Sequence, residues 1–256
     1  MTKIIKSLKA VLLPAAGIIA LASLCLYSVY TSSTLPEFRE LSAIDNISKK
    51  LPINQRRVLK KSRDSAVRVL SFNKETGNIA TSTGTYISAL KKEYILTVFH
   101  GIISDCDNTK ILVEDEFFDC DEFIELDVSN DYAIIKLKRK IKNRKPVNVL
   151  RDVPHGHRWK RNLSVLTDVY YTGYPNSAGP LSFAGKIAGL SSDDYLYINS
   201  YAWSGASGSG VFSENGKLIG YIVAIDVGGT EFGMQVLENV IFVVPLYRVD
   251  WKFIFK

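Results

Sequence analysis

From residue 65 to residue 244 the sequence is a succession of short runs rich in β-branched and aromatic side chains, separated by Gly, Asn, Asp and Ser. They include Ser65 to Phe72 (SAVRVLSF), Ile79 to Ser88 (IATSTGTYIS), Tyr94 to Val98 (YILTV), Asp131 to Leu137 (DYAIIKL) and Leu163 to Tyr171. Tyr195 to Asn199, Gly210 to Phe212, Lys217 to Asp226 and Val240 to Val244 follow. A side chain branched at Cβ loses rotamer freedom in a helix and packs well on a pleated surface. Many such runs at short spacing, with little helical periodicity, predict an all-β chain, a sandwich or a pair of barrels. Two stretches depart from the pattern: a short helix is expected around Asn54 to Lys61, and a C-terminal helix over Leu246 to Phe255.

At 256 residues the chain has room for one large domain or two small ones. With 46% hydrophobic and 23% charged residues it is neither a disordered nor a low-complexity chain. Three cysteines are too few for a fold built on disulfides. A net charge of +6 does not force a nucleic-acid partner, and none is expected. A mean hydropathy near zero excludes a polytopic membrane protein.

One segment is nonetheless strongly apolar. Residues 10–30 carry no charge, and these 21 residues are long enough as a helix to cross a hydrocarbon core about 30 Å thick. Lys3, Lys6 and Lys9 precede the run and the first acidic residue is Glu37, so the N-terminus is expected in the cytoplasm and the rest outside. Pro14 bends such a helix without preventing insertion. A cleaved signal peptide is the alternative, with Ala20-Leu21-Ala22 as its cleavage pattern, although Leu24 to Tyr30 would leave an apolar new N-terminus. Leu24 before Cys25 argues against a lipoprotein. Both readings export the body of the chain: 1–31 as anchor or signal, 32–61 as polar linker, 62–256 as the working domain.

Export gives Cys106 and Cys120 a meaning. Each sits between two aspartates, with strand-like runs between them, so a hairpin or meander could bring the thiols together. A disulfide is favoured outside the cytosol. Free thiols are the second reading, and a metal site is disfavoured because no histidine lies near. The basic stretch Lys136 to Arg161 reads as a solvated connection between two halves of the β region, or as a contact with an anionic surface such as lipid headgroups.

The chemistry-bearing residues lie in three places. Ser204 to Phe212 (SGASGSGVF) sets serines among glycines, where a tight turn can aim successive N–H groups at one point. A serine hydroxyl attacks poorly until a base takes its proton. Of three histidines, His155 and His157 lie in the basic, loop-like stretch, whereas His100 ends the apolar run Tyr94 to Phe99. Alone, His100 could equally be a satisfied core histidine. Asp131 opens the apolar strand DYAIIKL, either as a strand-end cap or as a buried carboxylate that needs a partner; Asp127 is its nearby competitor.

The order and context of these residues resemble those of trypsin-like serine proteases, in the bacterial branch of glutamyl endopeptidases and HtrA-like enzymes. LTVFHGI, NDYAIIKL and GASGSGVFSENGKLIG resemble the segments carrying that family's histidine, aspartate and serine. Thr172 to Pro175 (TGYP), with Gly185-Lys186-Ile187 after it, resembles a turn early in the second barrel. The likeness runs over residues 62 to 245.

It implies two six-stranded antiparallel barrels, with His100 and Asp131 from the first and Ser207 from the second. It also implies an oxyanion hole at the N–H groups of Gly205 and Ser207, and a strand at Val223, Ala224 and Ile225 that pairs with substrate backbone. No cofactor and no metal are expected. The chain departs from the family at the specificity positions: Ile222 and Ala202 replace the histidine and threonine of the glutamyl branch, and Tyr201 stands where trypsin-like enzymes carry an acid. An apolar or small residue is therefore expected before the scissile bond. No C-terminal binding module of the HtrA kind is expected. The resulting expectation is a membrane-tethered extracytoplasmic serine endopeptidase acting on proteins or peptides. The alternatives are a catalytically silent member of the same fold used as an anchored binding module, and an adaptor for anionic surfaces.

Overall fold

The computed structural model describes residues 51–230 and 233–252. The apolar run at 10–30 therefore lies outside the described residues, and no helix among the described residues is long and apolar enough to cross a membrane.

The chain opens with helix α1 (Ile53–Ser65) and then forms β1 (Ala66–Phe72), β2 (Ile79–Ala89), β3 (Lys92–Thr97), β4 (Thr109–Val113), β5 (Glu116–Asp127) and β6 (Tyr132–Leu137). These six strands pair in the order β1-β4-β5-β6-β3-β2, and β1 also pairs with β2, which closes the ring. A two-residue strand, β7 (Val147–Asn148), adds to β2 in parallel. Short helices α2 (Val149–Asp152) and α3 (Arg158–Asn162) lead to β8 (Asp168–Gly173), β9 (Leu181–Leu190), β10 (Leu196–Asn199), β11 (Gly210–Ser213), β12 (Leu218–Thr230) and β13 (Gly233–Pro245). The second ring is closed too, in the order β10-β13-β12-β11-β8-β9. The all-β expectation resolves into two six-stranded antiparallel barrels.

Successive side chains of a strand point to opposite faces, and here both faces are often dry. In β6, Ile135 fills the first barrel with Val67, Val69, Ile95 and Phe118. Its neighbours Tyr132 and Ile134 point the other way, into a seam shared with Phe212, Leu218, Tyr221 and Val244 of the second barrel. That two-sided burial explains why DYAIIKL reads as continuously apolar rather than alternating. The second barrel has its own interior of Val169, Tyr171, Ile187, Val211, Ile219 and Ile241.

Helix α1 is longer than the expected Asn54 to Lys61 and packs against the second barrel. Val58, Ser62 and Ser65 recur on one face and are buried. Ser62 donates to Thr172 at 2.9 Å and Lys61 to the Gly216 carbonyl at 2.8 Å. Lys61 also pairs with the buried Asp152 at 3.1 Å, which Arg151 holds from the other side at 2.9 Å. Burial pushes the Asp152 carboxyl up, but these two cations outweigh it and hold the group below its ordinary value.

One expectation needs correction. The described part of Leu246 to Phe255 is not an α-helix: Leu246–Arg248 forms one 3-10 turn after Pro245. Leu246 and Val249 are drawn into the seam, and the Asp250 N–H donates to the Tyr132 hydroxyl at 3.2 Å instead of to a helical carbonyl. In the basic stretch Lys136 pairs with Asp121 at 2.6 Å, Lys140 with Glu93 at 3.1 Å, and Arg139 with Glu116, with all three cations exposed on the surface of the first barrel.

Cys106 and Cys120 form a disulfide with their Cα atoms 5.3 Å apart. It fastens the 3-10 turn before β4 to the middle of β5, so free thiols and a thiolate metal site are set aside.

Candidate active site

β3 and β6 are antiparallel neighbours, with Thr97 opposite Ala133. The residues that follow β3 and those that precede β6 therefore meet at one end of the ladder. There the His100 Nδ1 lies 2.7 Å from Asp131 Oδ2, and the His100 backbone N–H donates to Asp131 Oδ1 at 2.9 Å. Both carboxylate oxygens thus face one residue. The Phe99 N–H donates to the Asp131 carbonyl at 3.2 Å, which docks the two turns at a third point.

Asp131 has φ of +52°, a left-handed conformation that a non-glycine residue holds at a cost of about 1–2 kcal/mol. Asp127, its competitor in the sequence, shapes that turn: its carboxylate accepts from the Asn130 N–H and from Asn130 Nδ2, each at 2.9 Å. Burial raises the Asp127 carboxyl, yet these hydrogen bonds prevail and hold it below its ordinary value. His155 and His157 are exposed and lie elsewhere, between α2 and α3.

The serine segment folds as two consecutive turns. The Ala206 N–H donates to the Trp203 carbonyl at 2.9 Å, and the Ser209 N–H to the Ala206 carbonyl at 3.0 Å. The third residue of each turn is a glycine at positive φ, Gly205 at +92° and Gly208 at +88°, as a type II turn demands. Space is short as well: a Cβ on Gly205 would lie 2.6 Å from the Tyr174 carbonyl oxygen, and one on Gly208 only 1.9 Å from that of Thr83.

Ser207 sits between the two glycines, half-buried, and its hydroxyl donates to the Val223 carbonyl at 3.3 Å. The N–H groups of Ala206, Gly208 and Ser209 are taken by Trp203, Ile222 and Ala206. Those of Gly205 and Ser207 have no acceptor among the described residues. Backbone donors left open beside a hydroxyl can hold a negatively charged oxygen.

The first barrel grips this loop through β2. The Thr83 N–H donates to the Ser207 carbonyl at 2.8 Å. Its hydroxyl donates to the Gly205 carbonyl at 2.7 Å and accepts from the Tyr174 N–H at 2.9 Å. Thr97, three residues before His100, donates to the Thr83 carbonyl at 2.7 Å. A single buried threonine therefore connects the strand leading to the imidazole with the turn carrying Ser207. Sequence reading passed over Thr83. Its signal was the run Thr81-Ser82-Thr83-Gly84-Thr85, because hydroxyls on a buried strand face must find partners.

The expected substrate contacts divide into two groups. Tyr201 is 57% exposed, stacks on Trp203 at 6.3 Å between centroids, and accepts the Tyr171 hydroxyl on its carbonyl. On β12, Val223 is half-buried and Ala224 exposed, and Ile225 follows on the same strand. Ala202 and Ile222 instead turn inward, 2% and 1% exposed, and pack with Ala206 in the second barrel. No charged side chain occurs from Tyr201 to Ser207. Among the described residues no group of His, Cys, Asp or Glu is arranged to hold a metal ion.

The profile of the trypsin-like peptidase domain matches residues 82–220, more than half of the chain. The fold is similar to that of a protease from M. tuberculosis in its active form, at a TM-score of 0.57 and 18% identity, covering 75% of this chain and 80% of that one. It is also similar to the serine endoprotease from Yersinia pestis, at a TM-score of 0.61 and 20% identity, covering 81% of this chain and 69% of that one. No curated protein matches the sequence. On the profile match, the chain belongs to the trypsin-like peptidase domain family of serine endopeptidases.

Proposed function

We propose that the chain is a membrane-tethered, extracytoplasmic serine endopeptidase that works through His100, Asp131 and Ser207. The observation that carries this reading is the doubly bonded His100–Asp131 pair, fastened through Thr97 and Thr83 to a serine turn with two open N–H groups. Ser207 Oγ attacks the scissile carbonyl while His100 takes its proton, and the carbonyl π electrons move onto oxygen. Gly205 and Ser207 N–H groups hold that oxyanion, each contributing about 3 kcal/mol to the transition state. Asp131 keeps the imidazole in the tautomer that accepts and stabilises the imidazolium. The imidazolium then gives its proton to the leaving amine as the C–N bond breaks, leaving an acyl-enzyme. Water, activated by the same imidazole, releases the acid. Before substrate arrives the Ser207 hydroxyl rests on the Val223 carbonyl, and rotation about its Cα–Cβ bond turns it toward the imidazole.

Val223 to Ile225 of β12 receive the substrate backbone as an added strand. The uncharged wall at Tyr201 and Ala202 supports an apolar or small residue before the scissile bond. Tethering through residues 10–30 is supported by their length and lack of charge, and export by the Cys106–Cys120 disulfide. Protein or peptide substrates reach the site from the far side of the membrane.

A fluorophosphonate probe tests the chemistry on the full chain. Labelling of the wild type and its loss in Ser207→Ala and His100→Ala is the expected result. No labelling of the wild type would favour the second reading, a catalytically silent anchored module. That reading draws on the Ser207 hydroxyl engaging Val223 rather than His100.

A further inference from the structure

The peptide bond that leads into Asp131 is held from the opposite barrel. Tyr221 lies on β12, and its side chain is wholly buried in the seam, edge-on to Tyr132. Its hydroxyl donates to the Asn130 carbonyl at 2.6 Å. That carbonyl belongs to the peptide plane whose rotation about the next N–Cα bond is the φ of Asp131, the +52° that aims the carboxylate at His100. Asp127 grips the same turn from its own side through Asn130. The backbone carrying Tyr221 is in turn docked on the serine loop, since its neighbour Ile222 accepts from the Gly208 N–H at 2.7 Å and donates to the Ser209 carbonyl at 3.0 Å. Burial first, and then the charge of Asp131, hold the Tyr221 phenol far above its ordinary range, so it stays a donor.

We infer that Tyr221 is a positioning residue: its hydroxyl fixes the left-handed turn at Asp131, and hence the His100–Asp131 pair, relative to the loop bearing Ser207. This rests on the catalytic reading above. Tyr221 is wholly buried in the seam, and its hydroxyl bonds the Asn130 carbonyl rather than His100 or Ser207. It acts through the Asn130 carbonyl, so removing the hydroxyl slows chemistry and spares binding.

The test compares the full-chain wild type, Tyr221→Phe and Tyr86→Phe, the last losing a tyrosine hydroxyl that bonds Glu93 in the first barrel. Two quantities are read beside the melting temperature. One is fluorophosphonate labelling, resolved into its limiting rate and half-saturating probe concentration. The other is the proton resonance of the His100 Nδ1–H, identified by its absence from His100→Ala. The expected result for Tyr221→Phe is a limiting rate down about 10-fold, an unchanged half-saturation and a shifted or broadened resonance. Tyr86→Phe keeps the wild-type rate and resonance even where its melting temperature falls. A Tyr221→Phe limiting rate within twofold of wild type, with the resonance unmoved, overturns the inference while the catalytic reading stands. If the wild type is not labelled, the catalytic reading fails and the resonance alone decides whether Tyr221 sets the pair.

Discussion

Gly205 and Gly208 have nearly the same positive φ, yet they do different things. Behind Gly208 lies the Thr83 carbonyl of the other barrel, 1.9 Å from where a Cβ would be, and that backbone cannot yield. Gly208→Ala is therefore expected to destabilise the domain by about 3 kcal/mol or more, seen as an early denaturation midpoint. Gly205 faces the Tyr174 carbonyl at 2.6 Å, a backbone overlap smaller than that behind Gly208. Gly205→Ala is expected to cost stability about 1–2 kcal/mol, while moving an open N–H and lowering kcat about 100-fold. Thermal melts and peptide hydrolysis rates separate the two, and equal losses of rate and stability in both variants would contradict the assignment. His100, Asp131 and Ser207 stood out as candidates because each lies where an apolar run meets a turn, in contexts that resemble the family's segments. Thr83 and Tyr221 did not, because their importance depends on a second barrel that no local pattern shows.

At the scale of elements, the β3–β6 ladder delivers His100 and Asp131 to one end, and its two-sided burial made both strands easy to read. Helix α1 was half legible: its apolar and hydroxyl stripe marks a helix, but nothing local says what the stripe covers. Its fastening has a pH consequence. The Asp152 carboxyl, paired with Lys61 and Arg151, titrates lower folded than unfolded, so the stability it contributes is full above about pH 4. That contribution fades as pH falls through the lowered folded value. Asp152→Asn is accordingly expected to be about 1–3 kcal/mol less stable at pH 7, with the difference shrinking on acidification. Denaturant titrations from pH 7 to pH 2 check this, and a difference constant with pH would refute the pairing. The helix expected over Leu246 to Phe255 has the opposite lesson: in its described part Leu246 and Val249 are drawn to the seam and the Asp250 N–H goes to Tyr132, so tertiary partners override a helix-like run.

Among the described residues, two closed barrels meet at an apolar seam. The disulfide closes a loop within the first barrel only, at a sequence separation of 14. Opening such a loop costs about 3 kcal/mol, so a reductant is expected to lower the melting temperature by about 6–12 °C. Cys106→Ala would show the same fall without reductant, and no fall in either would mean that the bridge is absent in solution. In the proposed mechanism the two barrels hold imidazole, carboxylate, hydroxyl and two open N–H groups around one reacting atom. A crystal structure of the chain after reaction with a peptidyl phosphonate shows whether they do. The expected adduct has phosphorus bonded to Ser207 Oγ and one phosphonyl oxygen about 2.7–3.1 Å from both the Gly205 and Ser207 nitrogens. It also has His100 Nε2 within hydrogen-bond reach of Ser207 Oγ. An unreacted Ser207, or a phosphonyl oxygen turned into solvent with the imidazole apart, would contradict it.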